Sequence, residues 1–298
     1  MSRRGWVLFL AMSVIWGVPY LLIKVAVEDL SPVVVVFGRC AIGAALLLPW
    51  TIARGHLRPA LRHWRWLLAF TLLEMTGPWL LLGYAETSLS SSLTGLLVAA
   101  VPFVAAIAGR VLGEERLTPV RLAGMGLGVV GIAVLLGLDV GGAQLLPLLA
   151  VAATVVGYGT APMIVTRKLA DVPGVAASSI ALLVTAVVYA PFALTRLDEV
   201  PAAPAPALLS VVVLGVVCTA LALSLFFALI HEVGPQRALV ITFLNPAVAV
   251  LLGVLLLDEP FTLGLALGLP LVIAGCVLAT RRNEPRVAET PAVETPVP

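Results

Sequence analysis

Two ionisable residues stand inside runs that carry no other charge: Arg39 within residues 33–52, and Glu74 within residues 66–85. A charge at membrane depth costs about 3 kcal/mol or more, and it is kept where it binds a solute, moves a proton or meets an opposite charge. At about 1.5 Å of rise per residue, Glu74 falls near the middle of its run and Arg39 nearer one end. The two could form an ion pair, structural or part of a coupling mechanism. Alternatively, Arg39 extends its head group to the membrane surface. Glu74 is too short and too deep to do the same. A low dielectric disfavours its charged form, so Glu74 is the candidate for a carboxyl that changes protonation during a cycle and couples solute export to proton entry.

A milder set of groups could line a pocket for an organic solute. Trp16 and Tyr20 lie one turn apart and share a helix face. Trp79 lies about one and a half turns from Glu74, and Tyr158 occupies the position in a second repeat that Trp16 holds in the first. Asn245 precedes Pro246, whose missing N–H frees a backbone carbonyl. Trp16, Tyr20, Glu74, Trp79, Tyr158 and Asn245 are therefore the candidate substrate-binding residues. Trp6, Trp50, Trp64 and Trp66 suit an interfacial belt. Cys40, Cys218 and Cys276 are isolated within apolar stretches, the setting of small buried hydrophobes. His56, His63 and His231 have no metal-ligand spacing, and neither HExxH nor GxxxxGK[ST] occurs. No catalytic residue, metal or cofactor is expected.

These residues must be positioned by membrane helices. Of 298 residues, 61% are hydrophobic and 11% charged, with a mean hydropathy of +1.11. A soluble domain carries roughly a quarter of its residues as charges, so this surface must face lipid. Ten apolar runs are long enough to span: 6–23, 33–52, 66–85, 87–109, 122–138, 140–166, 172–195, 201–230, 238–257 and 261–280. Short connections with Ser31-Pro32, Thr118-Pro119, Gly234-Pro235 and Glu259-Pro260 separate them, leaving no room for a soluble domain.

With the N-terminus in the cytoplasm, Lys24 and Arg196 are the only cations in outer connections. The remaining Lys and Arg, Arg39 apart, fall on the inner side. That bias places both termini inside. The basic group Arg54 to Arg65 sets topology and suits anionic lipid, with no nucleic-acid partner indicated. Glu114-Glu115 and Asp258-Glu259 are expected as solvated charges at helix ends.

An offset of 144 superimposes two parts of the chain. Pro102 falls on Pro246, Gly109 on Gly253, Glu115 on Glu259, Gly124 on Gly268 and Gly131 on Gly275. Helices 1–5 and 6–10 are therefore copies, and an odd number of helices turns the copies upside down. Gly124-x3-Gly128 and Gly264-x3-Gly268 allow close helix approach. The expected fold is an all-α integral membrane protein of ten helices in two inverted five-helix repeats, residues 1–140 and 141–282, followed by a disordered cytoplasmic tail, 283–298. Inverted repeats with a site between them are a recurring plan of secondary transporters.

The stretches WGVPYLLIK and FGRCAIGAALLLP and the repeated P-x6-G…E…T…G pattern resemble the EamA family of the drug/metabolite transporter superfamily, from about Val7 to Arg282. The resemblance implies a multi-pass plasma-membrane carrier, monomer or homodimer, that moves amino acids, other metabolites or drugs, often outward. It includes an arginine at the place of Arg39. A flippase for lipid intermediates from the same superfamily is the alternative, and a membrane-embedded lipid enzyme a more distant one.

Overall fold

The computed structural model describes residues 2–113, 117–139, 145–234 and 238–280, and all regular structure among them is helical. Eight helices are long and apolar enough to cross a membrane: α1 (Arg3–Val27), α2 (Pro32–Ala53), α3 (Trp64–Glu86), α4 (Ser91–Val111), α5 (Pro119–Asp139), α6 (Leu145–Lys168), α7 (Gly174–Leu194) and α8 (Ala205–Val233). Two shorter apolar helices follow, α9 (Val240–Leu256) and α10 (Leu263–Ala279). Each of these has about the minimum length for a span. In lipid, a chain must satisfy its backbone polar groups internally, and helices do so. Their ends are set by local chemistry. Pro32 opens α2 at a position where its missing N–H costs nothing, while the Ser90 and Thr262 hydroxyls accept from Leu93 N–H and Leu265 N–H at the starts of α4 and α10. The expected disordered tail and the Glu114-Glu115 turn lie outside the described residues.

The duplication is visible in the irregularities of the helices. A π turn interrupts α3 at Leu72–Thr76 and α8 at Val216–Leu221, starting 144 residues apart. Likewise α4 breaks at Ala99-Ala100, and the matching part of the second half changes from a 3-10 turn (Leu239–Phe243) to α-helix at Asn245. The freed backbone groups find partners. Tyr189 Oη donates to Thr76 O at 2.7 Å beside the first π turn, and Cys276 Sγ donates to Ala99 O at 3.0 Å at the break in α4. Helix α1 is also interrupted, at Trp16-Gly17.

Helices α5 and α10 pair most tightly. A Cβ on Gly275 would lie 2.6 Å from Gly128 N and 2.7 Å from Gly124 O, so the two backbones touch as the glycine pattern led one to expect. Gly157 on α6 is another forced glycine, because a Cβ there would collide with Leu73 O at the π turn of α3. Gly157→Ala is expected to lower stability by about 1–3 kcal/mol through overpacking. The check is the Tm in detergent, set against Gly126→Ala, where nothing lies within 4 Å.

The two ends of the bundle differ. At the arginine-rich end, Lys168 Nζ sits 5.1 Å over the Trp66 ring and Arg167 Nη2 donates to Leu112 O at 3.2 Å. At the arginine-poor end, the second half contributes two carboxylates that cap helices of the first half. Ser31 N–H donates to Glu199 Oε2 at 2.7 Å, and Ser91 N–H donates to Glu259 Oε1 at 2.7 Å. Ser92 donates to Glu259 through both its N–H and its hydroxyl. Glu259 is thus not the solvated helix-end charge expected. Four exposed N–H groups at a helix start, together with its dipole, draw a carboxylate in.

Glu199 lies in the connection between α7 and α8. Partial burial works against its charge, but Ser31 N–H and Arg196 hold its carboxyl below the ordinary value of 4.5. A depressed value means that the stabilisation is complete above the ordinary value and fades as pH falls through the folded one. Glu199→Gln is expected to remove this acid-side component, at most about 1 kcal/mol for so accessible a group. Tm profiles of both proteins across that acid range test it.

Candidate functional site

Arg39 is the focus of the site. It lies on α2 with only 7% of its surface exposed, so it does not reach to the membrane surface. Its Nε donates to Thr219 Oγ1 on α8 at 2.8 Å, and its guanidinium carbon lies 3.6 Å from the centre of the Trp79 ring on α3. A desolvated guanidinium–tryptophan stack contributes about 2 kcal/mol. Among the described residues no carboxylate pairs with it; the groups within its field are Tyr158, Tyr20, Cys40 and Cys218. Of the two arrangements the sequence left open for Arg39, an ion pair with Glu74 and extension to the membrane surface, the described residues show neither. Trp79 and Thr219 are the partners of the arginine inside the bundle.

Glu74 lies in the π turn of α3, half-buried, and makes no hydrogen bond among the described residues. Tyr158 on α6 stands within the fields of Glu74, Tyr20 and Arg39 and beside the Trp79 indole. Tyr158 also packs against both of the larger apolar cores. Five helices, α1, α2, α3, α6 and α8, thus bring Tyr20, Arg39, Glu74, Trp79, Tyr158 and Thr219 to the junction of the two repeats.

Two expected members lie elsewhere. Trp16 packs on Phe226 of α8, ring centres 4.6 Å apart, rather than joining Tyr20. The interruption of α1 falls between them, so the spacing of a continuous helix does not hold. Asn245 acts as a clamp: its amide nitrogen donates to Ile241 O at 2.9 Å and Ser13 O at 3.1 Å, in the amide orientation that its surroundings require. Trp6, Trp50, Trp64 and Trp66 are exposed, as a belt requires, and the three cysteines are free and buried. Thr219 was missed because one hydroxyl in an apolar helix is unremarkable. Its signal was its place beside Cys218, the repeat mate of Glu74.

A groove of about 540 Å³ opens at the arginine-rich end, lined by Trp66, Leu73, Val111, Met163, Arg167 and Lys168. Leu73, the sequence neighbour of Glu74, is the part of this lining that comes from the π turn of α3.

Comparison with known proteins decides the family. The EamA-like transporter family matches residues 3–137 and again 145–281, once per repeat. The chain belongs to the EamA-like transporter family. It is similar to YedA of Escherichia coli K12, described as an uncharacterized inner membrane transporter, at 26% identity over 91% of this chain and 88% of that protein. It is also similar to two Bacillus subtilis proteins described as uncharacterized transporters. YoaV is 23% identical over 91% of this chain and 94% of its own, and YvbV 27% identical over 96% and 95%. One crystal structure superposes with a TM-score of 0.65 at 22% identity, covering 94% of this chain and 97% of the other, which shows a shared fold. The chain is thus a multi-pass membrane transporter, and the groups around Arg39 belong to a transporter.

Proposed function

We propose that the chain is a secondary carrier that exports small organic metabolites bearing a carboxylate, with proton entry as the coupled movement. The observation that carries this reading is a buried Arg39 with no acidic partner among the described residues. An unpaired buried cation is costly, and a substrate anion offsets that cost when it binds. Trp79, Tyr158 and Tyr20 supply an aromatic wall for an organic body. Glu74, deep in α3 with no hydrogen bond of its own, is the group that exchanges a proton. The charge bias places the arginine-rich end and both termini in the cytoplasm, in a plasma membrane. The groove at that end is then the entry for a solute leaving the cell. The test is a comparison of internal and external metabolite pools in cells overproducing the chain or its Arg39→Met variant. Carboxylates should accumulate outside only with Arg39 present; an identical external profile for both proteins would refute it.

The same groove favours one second reading. Its apolar walls and the Arg167-Lys168 rim also suit an amphipath with an anionic head, as in a lipid-intermediate flippase. Lipid scrambling in vesicles without any solute flux would select that reading.

A further inference from the structure

The densest group of unsatisfied polar atoms in the described residues lies away from Arg39, at the arginine-poor end. Helix α3 finishes on Glu86, which has 0% of its surface exposed and no hydrogen-bond partner for either carboxylate oxygen. Ser91 Oγ and Thr94 Oγ1, in the first turns of α4, are buried and unpartnered as well. This part of α4, from Ser91 to Val98, is buried along its whole length. The end is closed.

Few charges surround Glu86. From α1 come Lys24 and the Tyr20 hydroxyl, and from the turn between α9 and α10 comes Glu259. Lys24 Nζ donates to the backbone carbonyl of Glu86 at 2.9 Å rather than to its carboxylate. Glu259 is a second carboxylate, already taken by Ser91 and Ser92. The halves of α6 and α9 at this end carry no titratable side chain, whereas that of α2 carries Arg39 and Cys40, neither of which is among the groups that act on Glu86. One lysine and a second acid therefore face Glu86, and of the two acids only Glu259 is hydrogen-bonded. A buried carboxylate without partners costs several kcal/mol, whereas the neutral acid costs far less.

We propose that Glu86 is a proton-binding site that controls the gate at the arginine-poor end. Closing α4 against α1 and α9 takes a proton from the solution on that side onto a Glu86 carboxylate oxygen, and opening returns it. This rests on the carrier reading and adds a control to it. An acid exterior would close the gate and return the empty carrier to its inward-open form.

The test reads gate motion without needing a substrate. A reporter, Leu97→Cys, sits at a position now 7% exposed on α4. It is placed in the full chain with Cys40→Ala, Cys218→Ala and Cys276→Ser. Its reaction with an impermeant methanethiosulfonate is measured in vesicles, from the arginine-poor side, in acid and alkaline buffer. Rates are normalised to Thr87→Cys, an exposed position, which removes the intrinsic pH dependence of thiols. Normalised reactivity is expected to rise about tenfold or more in alkali, to stay low and flat in Glu86→Gln, and to remain pH-dependent in Glu86→Asp. A reactive but pH-independent reporter with Glu86 in place overturns the proposal and leaves the carrier reading standing. So does a pH dependence that survives in Glu86→Gln or vanishes in Glu259→Gln instead. A reporter unreactive at every pH and from either face, in protein shown to be inserted by fluorescence size-exclusion of a fusion, overturns both. If Glu86→Gln does not insert, the profiles of the Glu86 and Asp proteins decide.

Discussion

Replacing Arg39 with methionine is expected to abolish solute transport while leaving the protein at least as stable as before. Removing one partner of a buried ion pair usually destabilises, because the other charge is left uncompensated. Arg39 has no such partner; its contacts are the Trp79 face and the Thr219 hydroxyl. An apolar side chain of similar length keeps the packing against Trp79, and the desolvation cost of the guanidinium disappears. Exchanges of this kind are neutral or stabilising by about 1–4 kcal/mol. The losses are the guanidinium stack on Trp79, about 2 kcal/mol, and the Thr219 bond, about 1 kcal/mol, which the relieved desolvation offsets. Arg39→Lys keeps the charge but loses the planar stack and the fixed fork, so transport should fall sharply there too. Tm in detergent and uptake into proteoliposomes, measured on the same preparations, separate the two effects. A large drop in Tm for Arg39→Met would make the arginine a structural post.

Glu74→Gln is expected to remove the whole of the transport driven by a pH gradient while sparing solute counterflow across a symmetric membrane. The amide keeps the volume and polarity of the acid, and no hydrogen bond depends on the carboxylate among the described residues. What it cannot do is take up and release a proton. Tyr158 lies within the fields of both Glu74 and Arg39. Counterflow of a carboxylate solute, with and without an imposed gradient, is the measurement. Full gradient-driven transport by Glu74→Gln would reduce Glu74 to a structural acid.

How much of this was legible beforehand follows from what is local in a chain. The apolar runs and their punctuation showed every one of the ten helices, with ends displaced by a few residues. The duplication was legible because glycines and prolines recur where backbones touch or bend, as at Gly131 and Gly275 or Pro102 and Pro246. Interruptions were not legible. The break in α1 between Trp16 and Tyr20, and the π turn around Glu74, depend on partners far along the chain, such as Tyr189 for the carbonyl of Thr76. Regular helices left a pair between Arg39 and Glu74 open and put Trp16 and Tyr20 on one face; the described residues show no such ion pair, and Trp16 packs on Phe226. Glu86 was passed over because it stands at the edge of an apolar run, where a charge ordinarily meets water. Its burial comes from Lys24 and the turn at Glu259, 62 and more than 170 residues away in sequence.

The claim beneath all of this is that two inverted halves rock around the Arg39 site, opening one end as the other closes. Electron–electron distance measurements on paired spin labels test it most directly, with one pair at Leu112→Cys and Met163→Cys by the groove, and another at Thr87→Cys and Phe261→Cys at the far end. In a cysteine-replaced background in liposomes, each pair should show two populations that shift in opposite directions between acid and alkaline buffer. A single unmoving population at both ends, or both ends widening together, would contradict alternating access and the carrier with it.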